Sequence, residues 1–442
     1  MLGSSELRRT LESATARSGV ARLRAIEERP DWEELRRRAR RIKVEAIAHL
    51  DRYLAQLEAK VQERGGAVHW ARDAEEARRI IVDLARRGGV RSVVKAKSMA
   101  SEEIRLNEAL EEAGIEAVET DLGEYIVQLA RETPSHIILP AIHKSRRDVS
   151  ELFHRELGTE PTDEVERLAG TARRVLRRKF LSATMGFSGV NFGVAETGTL
   201  AVVENEGNIR FATSAPRIHV ALMGIEKVVP RLQDLAVFLR LLPRSGTGQR
   251  ITSYVNFIRG PRGEAEPDGP RELHLVLLDN GRTRILADPA ARESLYCIRC
   301  GACLNVCPVY QSVGGHAYGW VYPGPMGAMI TPQLLGLRRA GDLPFASSLC
   351  GACKDACPVR IDIPSVLLHL RSHAVEESRR GPTLERWAVR LAAWVLRSPT
   401  RYRWAGALAR AWLRGRRPRV PGWSEAREFP PMARRTLREM LS

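Results

Sequence analysis

Cys297–Pro308, CIRCGACLNVCP, and Leu349–Pro364, LCGACKDACPVRIDIP, hold all seven cysteines of this 442-residue chain: Cys297, Cys300, Cys303, Cys307, Cys350, Cys353 and Cys357. Thiolates this closely spaced on a tight turn can face one cavity, and soft sulfur suits iron–sulfur clusters or zinc. Structural zinc sites usually join two CxxC pairs. The run here reads C-x2-C-x2-C-x3-C-P instead, a spacing that carries iron–sulfur clusters. Pro308 and Pro358 follow the last cysteine of each run and turn the chain away from continued helix. Gly301 and Gly351 lie inside the loops, where backbone must pass close to inorganic sulfide and leave room for N–H···S contacts.

The segment resembles the bacterial two-cluster ferredoxins, in which the motifs exchange ligands. That resemblance implies that Cys297, Cys300 and Cys303 with Cys357 hold one 4Fe-4S cluster, and that Cys307 crosses over to join Cys350 and Cys353 at the second. The position three before Cys350 is Ser347, so the second site lacks a cysteine. A hydroxyl is harder and far less acidic than a thiol. Two outcomes stay open: a 4Fe-4S cluster whose fourth ligand is oxygen, water or another protein, and a 3Fe-4S cluster. Between the runs, the stretch from Val309 to Ser348 carries Trp320, Tyr322 and Met326 among many Gly and Pro. It reads either as a cover that keeps water off the clusters or as a connecting loop with a short helix near Pro332 to Ala340. His316 within it reads as an ordinary histidine, because the cysteines already account for most of both sites.

Composition sets the frame. A chain of this length can bury two or three cores, and 44% hydrophobic with 28% charged residues is globular, not disordered. No run of eighteen apolar residues predicts a membrane span, and the mixed charges of the first thirty residues do not read as a secretory leader. Cysteines confined to cluster motifs fit a reducing compartment, so a cytoplasmic location is expected. The net charge is +17, and from Arg371 to Ser442 there are 17 Arg against 6 Glu, so +11 of the excess lies in the tail.

Upstream, Asp31 to Gly66 reads as one long helix, with Leu35, Ala39, Ile42, Ala46, Leu50, Tyr53, Leu57 and Val61 at helical spacing. Asp73 with Glu76 forms an aspartate version of a capping box before a second helix that stops at Gly88-Gly89. Then the pattern alternates: strand VRSVVKA, helix Ser101 to Ala113, strand GIEAVETD, a short helix near Tyr125, strand SHIILPAIH. This β-α-β-α-β order predicts a parallel sheet with helices on its faces. A charged helical stretch from Val149 to Ser182 interrupts it, and TLAVVENEG, RIHVALMGI and ELHLVLLDNGRTRIL continue it, the last with an Asn280-Gly281 hairpin turn. One α/β domain from about His69 to Asp288 accounts for these elements.

Within that domain, Gly186, Gly189, Gly193 and Gly198 crowd the approach to a strand, and Glu196-Thr197-Gly198-Thr199 stands at its mouth. An anion cradle of backbone N–H groups is one reading; a tight turn with a satisfied buried glutamate is preferred, because no Walker or GxGxxG pattern is present. Lys95 and Lys97, before a helix start at Ser98, read as solvated lysines, and His219 as a core histidine.

SHIILPAIHK, NFGVAETGTLAVVENEGN and RIHVALMGIEKVVP resemble the lactate-utilisation (LUD) domain. The order of that domain, the two cysteine runs and an Arg/Trp-rich tail is similar to the lactate-utilisation protein B family. The resemblance implies an α/β fold akin to the sugar-isomerase and CoA-transferase group, preceded by N-terminal helices (1–68), spanning 69–290, and followed by a ferredoxin-type domain (291–370) and a basic helical tail (371–442). It implies an iron–sulfur electron-transfer subunit working with other lactate-utilisation subunits to oxidise L-lactate to pyruvate. No catalytic residue is transferred. The alternative is an α/β enzyme acting on an organic acid or thioester, with structural or regulatory clusters. In the tail, Trp387, Leu391, Trp394 and Val395 share a helical face beside Arg386, Arg390 and Arg397, and Trp404, Leu408 and Trp412 follow Pro399. Such a face suits an anionic membrane surface, a respiratory acceptor or packing on its own body. No nucleic-acid motif accompanies the charge.

Overall fold

The computed structural model describes residues 5–377 and 383–413, then 418, 419, 424, 428, 433 and 435–441. Met1–Ala374 is one compact unit and Val375–Ser442 a second. The first begins with helices α1 (Ser5–Glu27), α2 (Trp32–Ala48) and α3 (Leu50–Glu63). The single long helix expected from Asp31 to Gly66 is therefore two, parted at His49, whose φ of −123° and ψ of 42° leave the helical region. The apolar stripe runs on through the break, with Ala46, Leu50, Leu54 and Leu57 all buried, so periodicity alone could not reveal it.

Ten strands follow in chain order: β1 (Ala67–Ala71), β2 (Ser92–Lys95), β3 (Glu116–Glu119), β4 (Met185–Gly189), β5 (Phe192–Val194), β6 (Thr199–Glu204), β7 (Ile218–Gly224), β8 (Val228–Val229), β9 (Tyr254–Ile258) and β10 (Glu272–Leu278). Six of them make an all-parallel sheet in the order β1-β10-β7-β4-β2-β3. Its central strand β7 is buried along its whole length, as a parallel strand covered on both faces must be. Alternate residues serve opposite cores: Ala221 and Met223 join the core shared with α2 and α3, while Val220 and Leu222 join the core under the helix Ala74–Arg87. The remaining strands form a smaller sheet, β8-β5-β6-β9, with β6 antiparallel to both neighbours.

Several sequence expectations are corrected here. TLAVVENEG does form β6, but in the smaller sheet. SHIILPAIH is not a strand: it is a chain of bends and turns in which His136 Nδ1 accepts from the N–H groups of Ile138 and Leu139 at 3.0 and 3.1 Å, and Pro140 has no N–H to offer a ladder. Asn280 and Gly281 do not make a hairpin. With φ of 44° and 90° they turn the end of β10 into a helix, Arg282–Ala287. The helix expected over Ser101 to Ala113 is split at Arg105, φ 51°, into Met99–Glu103 and Leu106–Glu112. Asp73 caps its helix through Glu76 N–H, yet the Glu76 carboxylate takes the N–H of Arg72, one residue ahead of the one a capping box uses. β1 is not legible in the sequence, because five residues of which only Ala71 is buried give too short a pattern.

A buried ionic chain joins the sheet to the cysteine region. Arg282, just beyond β10, donates from both terminal nitrogens to Glu103 at 2.8 and 2.9 Å and from Nε to Glu226 at 2.6 Å. Glu226 also receives Arg299, which lies between Cys297 and Cys300, at 3.3 Å, and Tyr322 donates to Glu103 at 2.7 Å. Burial by itself would raise the Glu226 carboxyl, but Arg282, Arg299 and Lys227 hold it at about 2. Arg282→Met leaves two carboxylates buried without their cation, so it should cost about 3–5 kcal/mol, read as a drop in the midpoint of denaturant unfolding.

In the second unit the helices Thr383–Leu396 and Pro399–Leu413 pack on each other, and Arg401 lies over the Trp394 ring at 4.3 Å. Trp387, Leu391, Trp394, Trp404, Leu408 and Trp412 are all exposed, with Arg390 and Arg397 beside them; the side chain of Arg386 lies outside the described residues. Among the described residues no helix is long and apolar enough to cross a membrane.

His219 is a core histidine. It is wholly buried on β7 with Nε2 2.9 Å from Ser188 Oγ, and burial together with His274 takes its pKa down to about 3. Burial and Lys97 likewise lower His136 to about 4. Both groups stay neutral in the fold while the unfolded chain protonates near 6.5, so each contributes stability that is complete above that pH. It is lost at about 1.4 kcal/mol per pH unit as pH falls toward the folded values. The thermal midpoint should therefore decline between pH 6.5 and 4, and His219→Leu should show a flatter decline.

Candidate iron–sulfur site

The two cysteine loops are one structure used twice. In each, the residue before the cysteine that precedes the glycine takes a left-handed conformation, Arg299 before Cys300 at φ 60° and Leu349 before Cys350 at φ 56°. The following glycine does the same, Gly301 at 75° and Gly351 at 86°, and then opens a one-turn helix, Ala302–Asn305 or Ala352–Ala356. The paired left-handed residues turn successive N–H groups toward sulfur: Ala302 N–H reaches Cys300, and Ala352 N–H reaches Cys350. After the last cysteine of each run, Tyr310 N–H lies 3.5 Å from Cys307 Sγ and Ile361 N–H 3.4 Å from Cys357 Sγ. The expected N–H···S contacts are thus built into the chain.

The two short helices pack against each other, which brings the runs together across about fifty residues of chain. Cys297, Cys300, Cys303 and Cys357 line one cavity, whose other walls are apolar: Ile298, Met326, Met329, Val359, Ile361 and Ile363. The second group is Cys307, Cys350 and Cys353, each within electrostatic reach of another. Cys307 and Cys353 are buried; Cys350 is exposed. Burial pushes Cys353 up to about 12 and Cys357 to about 11, and raises Cys300, Cys303 and Cys307 as well. Cys350 goes the other way, lowered by the Ala352 N–H and the Ser348 side chain. The free thiols of the buried set are protonated at neutral pH, so loading metal must release protons. Four sulfurs, inward N–H groups and a dry wall are a donor set that fits an iron–sulfur cluster.

Ser347, at the position of the missing cysteine, is engaged through both its hydroxyl and its carbonyl. Its Oγ accepts from Leu349 N–H at 3.1 Å, and its carbonyl accepts from Arg371 at 3.0 Å. The neighbouring Ser348 is the hydroxyl that meets Cys350 sulfur.

Partners that sequence spacing could not reveal come from the first helices. Arg36 on α2 donates to Cys357 O at 2.8 and 3.1 Å and to Asp355 O at 2.9 Å, and Arg22 on α1 donates to Ala356 O at 3.2 Å. Both cations close the C-terminal end of the Ala352–Ala356 helix, where free carbonyls gather. The stretch between the runs forms a buried helix, Gly324–Leu335, longer than the one expected near Pro332 to Ala340, and it seats Met326 and Met329 over the four sulfurs. His316 is away from them, against Thr133 O at 2.7 Å and the His143 ring. An open cleft outside this region is lined by Arg36, Arg37, Arg40, Arg41 and Lys354, whose charges are taken up by Glu33, Glu34, Glu293 and Asp362.

The glycine-crowded segment runs through β4 (Gly186, Gly189) and β5 (Gly193) to the β5–β6 turn (Gly198). Gly198, φ 69°, lies where a Cβ would come within 2.8 Å of the Lys60 backbone. Glu196 is exposed, not buried as expected, and accepts from Leu232 N–H at 2.9 Å at the start of the helix Leu232–Gly246. Lys95 is also not solvated: it is fully buried and paired with Glu119 at 2.7 Å and Glu102 at 3.0 Å. Lys97 donates to Ile138 O at 2.6 Å and lines a second cavity, which has Cys300 and Arg299 in its wall.

Comparison with known proteins matches residues 54–278 to the LUD domain, residues 293–361 to the 4Fe-4S dicluster domain, and residues 369–442 to the C-terminal domain of lactate utilisation protein B. Lactate utilization protein B of Bacillus pumilus (strain SAFR-032) is 44% identical over 98% of this chain and 93% of its own length; that of Bacillus thuringiensis (strain Al Hakam) is 43% identical over the same shares. A DUF162 family protein from Deinococcus radiodurans overlaps 52% of this chain and 98% of its own, at 12% identity and a TM-score of 0.29, a likeness too slight to argue from. With three family domains matched in order and near full-length relatives at this identity, the chain belongs to the lactate utilisation protein B family.

Proposed function

We propose that this chain is the electron-carrying subunit of a cytoplasmic system that oxidises L-lactate to pyruvate together with other lactate-utilisation proteins. The observation that carries the reading is the pairing of two sulfur groups on one packed pair of helices, the first lined by four cysteines and apolar side chains and the second ending at exposed Cys350. Cys297, Cys300, Cys303 and Cys357 hold a 4Fe-4S cluster, and Cys307, Cys350 and Cys353 hold a second whose remaining position takes a non-cysteine ligand or stays vacant. Such clusters supply one-electron oxidation and reduction, and a pair of them matches the two electrons that lactate releases.

The protein's own residues set the conditions. Met326, Met329 and the apolar walls exclude water from the first group. The backbone N–H groups at Cys300, Cys350 and Cys357 and the cations Arg22, Arg36 and Arg299 favour extra negative charge, which raises a reduction potential. Exposed Cys350 puts the second group where an acceptor can approach, and the tail, by itself, offers a partner subunit its exposed Trp and Arg.

Protein purified anaerobically should contain iron and sulfide, absorb in the visible, and bleach on reduction. Cys300→Ala should lose about half its iron and all lactate-dependent reduction in the presence of its partner proteins, with the Cys353 group still loaded. Zinc in place of iron, or full reduction by lactate in the Cys300→Ala protein, would end this reading.

A further inference from the structure

A cavity of about 330 Å³ lies between the parallel sheet and the first cysteine loop. It lies beyond the carboxyl ends of β2 and β4, lined there by Lys97 and Ser98 and by Gly189 to Asn191. From β2 the chain goes outward to β3; from β4 it goes to the other side, to β7 and then β10. The boundary between β4 and β2 is therefore the topological switch point, where open parallel sheets leave a crevice for ligands. Its volume falls at the small end of the range for organic-ligand sites.

The charges in the wall are sorted. Asp121, Glu204 and Glu206 are engaged by backbone N–H groups: Gly123 and Glu124 on Asp121, Ile209 and Arg210 on Glu204, Leu122 on Glu206. The cations are not matched in the same way. Lys97 and Lys227 donate to the carbonyls of Ile138 and Val190 and make no ion pair within 4 Å among the described residues. Arg299 is nine-tenths buried; one terminal nitrogen meets Glu226 at 3.3 Å, its plane lies over Tyr322 at 5.0 Å, and its other terminal nitrogen, Nη1, is buried with no partner. A guanidinium nitrogen is not left dry and unpaired without a reason. Arg299 also holds a left-handed backbone, φ 60°, which most side chains avoid.

We propose that this cavity binds a small organic monocarboxylate, with Arg299 as its anchor and Lys97 and Lys227 as the flanking cations, directly against Cys300. A carboxylate satisfies Nη1 and takes up the lysine charge without displacing the carbonyl contacts. The three wall carboxylates disfavour a polyanion, so nucleotides and sugar phosphates are the wrong class. Asn191, Asn205 and Gln249 line the rest with amide groups suited to a hydroxyl or keto oxygen. The choice of L-lactate and pyruvate as probes rests on the function proposed above; the existence of the site does not.

The test is equilibrium dialysis of the full-length, iron-loaded protein with radiolabelled L-lactate under anaerobic conditions, without partner proteins or turnover. Expected are saturable binding, competition by pyruvate but not by the neutral lactamide, and a loss of about tenfold or more in affinity for Lys97→Gln and Arg299→Gln at unchanged iron and sulfide content, while Lys60→Gln binds normally. If Arg299→Gln fails to load iron, Lys97→Gln decides. No saturable binding of either acid, binding indifferent to Lys97→Gln, or tighter binding of glycerol 3-phosphate than of the acids would overturn the assignment. Clusters that reduce in a protein that binds no acid would remove this site and spare the electron-transfer reading; binding by protein whose clusters never reduce would do the reverse.

Discussion

The joint between the sheet and the cysteine loops is a set of charges that cannot be solvated. Glu103 and Glu226 are both buried, and water cannot reach them to repay their desolvation. Arg282 and Arg299 must be there, from the end of β10 and from inside the first cysteine run. This fixes the first loop at the carboxyl edge of the sheet, and because the loop holds Cys297 and Cys300 it fixes the first sulfur group as well. Apolar packing alone would allow the loop to slide by part of an ångström in any direction. A guanidinium fork against a carboxylate sets angle and distance together.

A second set of constraints comes from the first helices. Arg22 and Arg36 satisfy carbonyls more than 300 residues later in the chain, so the second cysteine run is held against α1 and α2, not only against the first run. The core follows the same arrangement: Leu35 and Ala39 of α2, Phe192 and Leu200 of the smaller sheet, and Leu304, Tyr310 and Met326 of the cysteine region belong to one continuous apolar cluster. The cysteine region is therefore not an appended module with its own interior. It completes the core of the α/β body.

What could be read in the sequence was what is local. The cysteine spacing shows the two loops because each is built within twelve residues, and strand runs such as RIHVALMG show the parallel sheet because both faces of β7 are covered. The errors share a cause. SHIILPAIH has the composition of a strand, but His136 ties the chain into a local turn and Pro140 brings no N–H to a ladder. Asn280-Gly281 has the residues of a hairpin, but a parallel sheet gives its last strand no antiparallel partner, and the same left-handed pair serves as a helix entry. Lys95 and Glu196 exchanged environments for the same reason: burial of a charge depends on partners such as Glu119 or Leu232 N–H that no local pattern names. Nothing in the cysteine spacing distinguishes Arg299; its left-handed backbone and unpaired nitrogen mark it only in the folded chain.

Arg299 and Leu349 part company in spite of a shared backbone. Both stand at the same place in a repeated loop, with the same unusual backbone, yet one side chain is charged and tied into the interior while the other is a partly exposed hydrocarbon. Of two like loops, only the first is tied by a buried charge to the sheet; the second has its Cys350 sulfur open to the outside. With clusters held as proposed, dioxygen would meet that half before its twin, so damage in air would run from the rim inward.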